Sequence, residues 1–307
     1  MNHPLLADQR RGLDLEQAYA ECAGITRKEA RNFYYAFLPL RSDRRLALYA
    51  LYSFARIADD LADEEGRELS ERLAALDHLE SRLDEALAGD PGGSVFTALA
   101  DTIERFTVPV HTLRDLLTGV RQDQSVTRYH SYEELTTYCY HVAGTIGLMC
   151  SAVFGNRSEE AAAFAISQGL GMQLINIIRD VRTDADSDRI YIPGQLMAEY
   201  GVSEEDVFAG RTGEAWEGMM GALAGRARDA LEEGRGLLPL IAPDARICPA
   251  LMGDLYQKIL SRIEGVHFDV FNHVPDLTLM MKLRLLGTAY WQYRIRRTPR
   301  IMKDVPQ

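Results

Sequence analysis

The stretch from Arg44 to Glu64 most constrains what this chain can fold into. It reads Arg-Arg-Leu-Ala-Leu-Tyr-Ala-Leu-Tyr-Ser-Phe-Ala-Arg-Ile-Ala-Asp-Asp-Leu-Ala-Asp-Glu, apolar on nearly every side as far as Ala58. A helix of that kind is buried on most of its faces. Yet Tyr52, Arg56, Asp59 and Asp63 follow one another at steps of four, three and four, so they share one stripe. Buried carboxylates without partners are costly, so the stripe has to face a counter-charge, a metal ion or a watery cavity.

A second segment, Gly169 to Asp184, repeats the design. Gln173, Asn176, Asp180 and Asp184 again step by three or four, while Leu170, Leu174, Ile177, Ile178 and Val181 supply apolar faces. One Asp-x-x-x-Asp on a helix is commonplace and usually marks a solvated surface. Two such stripes, each in an apolar helix and each with an Arg beside it, are a different signal. Paired oxygen ligands are what Mg²⁺ uses when it shares its shell with substrate phosphates. Facing each other across a helical cavity, the stripes could hold two or three Mg²⁺ ions around one diphosphate. Arg56, Arg179 and Arg189 are candidates to complete the clamp, since a guanidinium offers paired donors to phosphate oxygens.

The rest of the chain is helical in pattern, with apolar residues at three- and four-residue steps and no convincing period-two run. The spacing predicts helices over about 14–38 (broken near Gly24), 42–63, 68–88, 94–106, 109–120, 131–154, 158–184, 212–238, 247–271 and 276–297. Ser42 and Ser158 are candidate N-caps. The segment 185–211 is the least helical and is expected to form a flap beside a site. One all-α domain over 1–307 is expected, with 1–13 and 298–307 as loose tails. Ala143, Gly144 and Gly147 remove side-chain volume from one helical surface. They either make room for an apolar substrate or let two helices pack closely.

The formal net charge of −11 argues against a nucleic-acid partner, which needs clustered cationic surface. Four cysteines without CxxC or zinc spacing read as reduced, packed residues. The N-terminus has no apolar secretory core, and no uninterrupted apolar run approaches the ~20 residues needed to span a bilayer. The expectation is a cytoplasmic protein, soluble or peripheral at the inner face of the membrane, that touches the membrane surface transiently to release product. Oligomeric state is left open.

Five blocks in order then resemble the squalene/phytoene synthase family. They are Ala30–Leu40, Ala50–Glu64, Tyr138–Gly147, Gly171–Asp184 and Asp188–Pro193, followed by a weaker block around Tyr256 and Phe268. The resemblance implies a single-domain, all-α isoprenoid synthase-type bundle around a central cavity, and a Mg²⁺-dependent prenyltransferase. It makes Asp59, Asp63, Asp180 and Asp184 the metal–diphosphate aspartates, with Asn176 as a further ligand. Tyr52, Arg56, Gln173, Arg189 and Tyr191 become substrate-binding positions, and Tyr138 lies near the reacting carbons. Two positions depart: Ala30-Arg31-Asn32 stands where many relatives have Ser-x-Ser, and His273 where an Arg is usual.

The implied reaction joins two prenyl diphosphates head to head. Farnesyl diphosphate, giving presqualene diphosphate or squalene on a hopanoid- or sterol-type route, is the favoured expectation. Phytoene or dehydrosqualene synthesis for carotenoids is the alternative. No glycine-rich nucleotide fingerprint speaks for or against NADPH. A non-catalytic relative serving as a binding or assembly protein should have eroded stripes, and these are intact. A chain elongase or terpene cyclase fits the paired Asp-x-x-x-Asp stripes less well.

Overall fold

Two helices with apolar backs and polar stripes organise the molecule: α3 (Ser42–Ala62) and α9 (Glu159–Asp186). The computed structural model describes residues 14–64, 66–156, 158–273, 279–291 and 293. The N-terminal part comprises α1 (Leu15–Glu29), α2 (Arg31–Phe37), α3, α4 (Leu69–Leu87), α5 (Ser94–Phe106) and α6 (Val110–Gln122). Next come α7 (Tyr132–Cys139), a π-helical turn (Tyr140–Gly144), α8 (Thr145–Val153) and α9. The remainder is α10 (Gly194–Tyr200), α11 (Glu204–Phe208), α12 (Glu214–Gly234), α13 (Leu237–Leu240), α14 (Ile247–Glu264) and α15 (Leu279–Tyr290). Among the described residues there is no strand, only an isolated parallel bridge between Arg128 and Ile190. The all-α expectation holds.

α3 buries Leu48, Leu51, Phe54, Ile57 and Leu61, each 4 % exposed or less. Each such side chain contributes about 1.5–3 kcal/mol through removal from water. α9 packs most extensively against α12 and also against α8 and the π-turn. By length and hydropathy α9 could cross a membrane, with a mean hydropathy of 1.4 over its most apolar window. Its apolar run is nonetheless interrupted by Ser167, Gln168, Gln173 and Asn176, so no uninterrupted apolar stretch of that length arises. Here Leu174, Ile175, Ile177 and Ile178 of α9 are spent on the protein core.

Glycines set how closely α9 approaches its neighbours. A Cβ on Gly169 would stand 2.4 Å from the Ala143 carbonyl oxygen in the π-turn, and one on Gly147 would stand 2.2 Å from the Ala165 carbonyl oxygen in α9. These glycines are present because backbones touch there. Gly169→Ala should therefore destabilise the protein by about 1–3 kcal/mol, as overpacking does. The denaturant midpoint measures it, and an unchanged midpoint would mean the two helices are free to separate.

Several boundaries differ from the sequence reading. α1 runs unbroken through Gly24, which sits in open space, and the break falls at Ala30 instead. Arg41, not Ser42, caps α3 and does so without a side-chain bond, whereas Ser158 caps α9 as expected by accepting from the Ala161 N–H at 3.2 Å. The segment 185–211 contains α10 and α11, the latter closed by a Ser203–Asp206 capping box. The helix expected over 247–271 ends at Glu264, and that over 212–238 is divided after Gly234. The expected tails 1–13 and 298–307 lie outside the described residues.

Candidate active site

A cavity of about 460 Å³ runs between α3, α6, the π-turn, α8, α9 and α14, with α2 and α13 completing its wall. Its two ends differ in character. Along α3 the lining passes from Leu48 through Tyr52 to Asp59 and Asp63, and along α9 from Ala165 through Gly169 and Gln173 to Asn176. Eleven helical positions at about 1.5 Å each make the apolar reach roughly 16 Å long below the polar end. Acid collects at one end and hydrocarbon at the other.

At the polar end the two stripes meet. Asp59 touches the open space of the cavity yet is hemmed in by protein, and this confinement, then the charge of Asp63, pushes its carboxyl up to about 7. Asp184 is pushed up to about 7 as well, first by burial and then by Asp180. Asp59 and Asp184 both feel the charge of a third acid, Asp123, which itself feels Asp63. The stripes therefore converge on one electrostatic centre. Among the described residues no three His, Cys, Asp or Glu side chains form a metal cluster by themselves. A hard cation sharing its shell with phosphate and water needs fewer protein ligands. The side-chain carbonyl oxygen of Asn176 is buried without a partner, and together with carboxylates this short of countercharge it suits such an ion.

Asp123 ends α6 and holds the aromatic wall. Its carboxylate accepts from the Tyr138 hydroxyl at 2.6 Å and the Tyr191 hydroxyl at 2.8 Å, and its carbonyl accepts from Arg189 Nη2 at 2.6 Å. Burial raises its carboxyl above the usual range, against the pull of these donors. The Tyr138 and Tyr191 rings stack at 5.2 Å, and Tyr129 stacks on Tyr191 at 5.7 Å. Burial, then Asp123, keeps the Tyr138 phenol protonated far into alkaline pH.

The helix end of α9 explains how Arg189 arrives there. Asp188 takes a left-handed conformation (φ 56°), one that Asp tolerates better than most residues. The Arg189 N–H then bonds the Asp184 carbonyl at 2.9 Å and the Asp188 N–H bonds that of Ala185 at 2.9 Å, a Schellman closure. Arg128 anchors the turn through the Asp188 carboxylate at 2.8 Å, and the Ile190 N–H bonds the Thr127 carbonyl at 2.9 Å. The strap after α9 is thus pinned beside the site and leads into α10 and α11, where a flap was expected.

Asp59, Asp63, Tyr52, Tyr138, Ala143, Gly147, Gln173, Asn176 and Arg189 all line the cavity. Tyr191 stands behind Tyr138, and Asp180 and Asp184 lie beyond the lining. Asp180 accepts from Arg179 Nε at 2.7 Å, so this arginine is engaged with its neighbour rather than aimed at the cavity. Arg56 pairs with Asp60 at 2.5 Å while its Nε is buried without a partner. Ala143 and Gly147 both line the cavity and, as the Cβ distances require, sit at close helix contacts, which is the packing reading of these small residues. Sequence reasoning missed Asp123, because Gln122-Asp123-Gln124 at a helix end looks like solvated surface. It also passed over Tyr256 of α14 as a site residue, although Tyr256 lines the cavity close to Asn176. His273 sits beside Asp269 at 3.3 Å, exposed.

A family model described as squalene/phytoene synthase matches residues 26–281. The chain belongs to the squalene/phytoene synthase family. It is 37 % identical over 290 residues to a 15-cis-phytoene synthase of Synechococcus elongatus, covering 90 % of this chain and 93 % of the relative. It is 35 % identical over 285 residues to phytoene synthase 2 of Solanum lycopersicum, covering 90 % and 91 %. Among solved structures, a dehydrosqualene synthase in complex with ligand superposes with a TM-score of 0.83 at 30 % identity, over 90 % of this chain and 96 % of that one. A squalene synthase from Alicyclobacillus acidocaldarius gives 0.79 at 28 %, over 84 % and 97 %. As a squalene/phytoene synthase family member the protein has the all-α isoprenoid synthase fold and belongs among head-to-head prenyl transferases.

Proposed function

We propose that this chain condenses two geranylgeranyl diphosphates head to head into phytoene. The observation that carries the reading is the placing of Asp59, Asp63, Asn176 and Arg189 at one end of an otherwise apolar cavity, with Asp184 behind that lining and coupled to it through Asp123 and Arg189. Relatives at 35–37 % identity that are named phytoene synthases support the longer substrate over farnesyl diphosphate. Farnesyl diphosphate is the second reading, supported by the likeness to a dehydrosqualene synthase and a squalene synthase.

Asp59, Asp63, Asp180, Asp184 and Asn176 would hold Mg²⁺, which supplies countercharge to a departing diphosphate. Arg189 adds a fixed cation, and its guanidinium also lies over the Tyr191 ring at 5.8 Å. The C1–O bond of one substrate breaks, its electron pair leaving with the diphosphate and an allylic cation remaining. The C2–C3 double bond of the second substrate attacks that C1, and loss of a proton closes a cyclopropane. Loss of the second diphosphate, rearrangement and a further proton loss then give phytoene. Apolar walls keep water from quenching the cations, while Tyr138, backed by the stacked Tyr191 and Tyr129, offers a π-face to positive charge. Because the sequence ends in proton loss, the proposal needs no hydride donor.

Incubation of the protein with Mg²⁺ and radiolabelled geranylgeranyl or farnesyl diphosphate, with and without NADPH, tests this. A C40 hydrocarbon without NADPH is the expected product. A C30 product favours the second reading, and no coupled product from either substrate rejects both.

A further inference from the structure

The apolar end of the cavity is closed by a built floor. Phe154 at the end of α8, Leu237 of α13 and Cys248 of α14 face the cavity there, beside Leu48 and Ala165 at the foot of α3 and α9. Phe154 and Leu237 are almost fully buried, at 3 % and 2 % exposure. Backbone and charge lock the floor from beneath: the Phe154 carbonyl accepts from the Ala242 N–H at 3.1 Å, and Arg44 Nε donates to the Val153 carbonyl at 3.1 Å while pairing with Asp244. The backbone that carries Phe154 is thereby fixed in place at the foot of the cavity.

We infer that Phe154, with Leu237 and Cys248, is the stop that sets the length of prenyl chain the cavity admits. The inference rests on the head-to-head reading, since it takes the diphosphate to lie at the carboxylate end. With the head fixed there, the tail runs down α3 and α9 and ends against Phe154. An apolar pocket discriminates roughly 10- to 200-fold per methylene-sized step, so one isoprene unit meeting or missing this floor should produce a large ratio. The fold fixes one end of the substrate by charge and measures the other by volume.

The test is a ratio taken on one sample, which the fraction of folded protein does not alter. Binding of farnesyl and geranylgeranyl thiolodiphosphates with Mg²⁺ is measured by calorimetry, and the C40-to-C30 product ratio from an equal mixture of the two diphosphates is measured beside it. Phe154→Ala should raise binding of the C25 geranylfarnesyl thiolodiphosphate, measured in the same way, at least tenfold relative to the geranylgeranyl compound, and Cys248→Leu should shift the affinity ratio at least fivefold from the geranylgeranyl toward the farnesyl compound. If Cys248→Leu does not fold, Leu48→Phe fills the same foot and takes its place. A ratio within twofold of wild type in either variant, or both ratios moving the same way, overturns the inference. A wild-type protein that binds both analogues but couples neither substrate overturns the reaction instead, and the affinity ratios then decide the floor alone.

Discussion

Asp59→Asn is expected to lower turnover by on the order of 10³-fold, in the range seen when a preorganised electrostatic group is removed. It should also raise the melting temperature of the metal-free protein. Both follow from one fact: confinement and Asp63 push the Asp59 carboxyl up to about 7, from a usual value of 3.8. In the unfolded chain this group ionises near pH 4, and in the folded chain only near 7. Below pH 4 both states are protonated and the group costs folding nothing. Between 4 and 7 the unfolded chain releases its proton first, so stability drains away as pH rises, and above 7 the whole penalty is present. Asp184, also raised to about 7, acts in the same direction. Wild type should therefore lose stability between pH 5 and pH 8, and Asp59→Asn should lose less of it. Mg²⁺ with pyrophosphate at pH 8 should restore the wild type and not the variant. Thermal melts at the two pH values with a parallel turnover assay check this, and a variant that keeps near wild-type turnover would remove Asp59 from the site.

The Asp59→Asn/Asp184→Asn pair should be no slower than the worse single variant. Residues that act as one unit lose their joint contribution when either is removed. These two carboxylates sit on different helices, yet both respond to Asp123. If each single variant loses on the order of 10³-fold, the double should lose about the same and not the product of the two. Single-turnover rates for all four proteins measure the coupling. Losses that multiply would place the carboxylates in separate sites.

Much of this was legible beforehand because it depends on periodicity. Residues at steps of three and four in α3 and α9 had to lie on stripes, and carboxylates among Leu, Ile and Ala had to face something other than packed hydrocarbon. Partners contributed by distant segments were less legible. Asp123 gains its meaning only where the end of α6 meets Tyr138 and Tyr191, 15 and 68 residues further on. The pairing of Arg179 with its own neighbour Asp180 escaped for a different reason: two charges placed for a clamp can close on each other instead. Gly24 misled because a glycine in open space neither breaks nor requires anything, while Ala30 ends α1 without any sequence mark.

The π-helical turn at Tyr140–Gly144 carries one residue more than regular winding would use, between a stretch whose tyrosine reaches Asp123 and a stretch that descends to Phe154. Each helical residue rotates the following side chains by about 100°. Shortening this loop of the winding by one position would therefore leave every amino acid downstream chemically intact while swinging Gly147 and Cys150 off the wall they form. What must be preserved in that segment is a count rather than an identity. A deletion there would be felt as a misaligned chamber, even though no functional group had been removed.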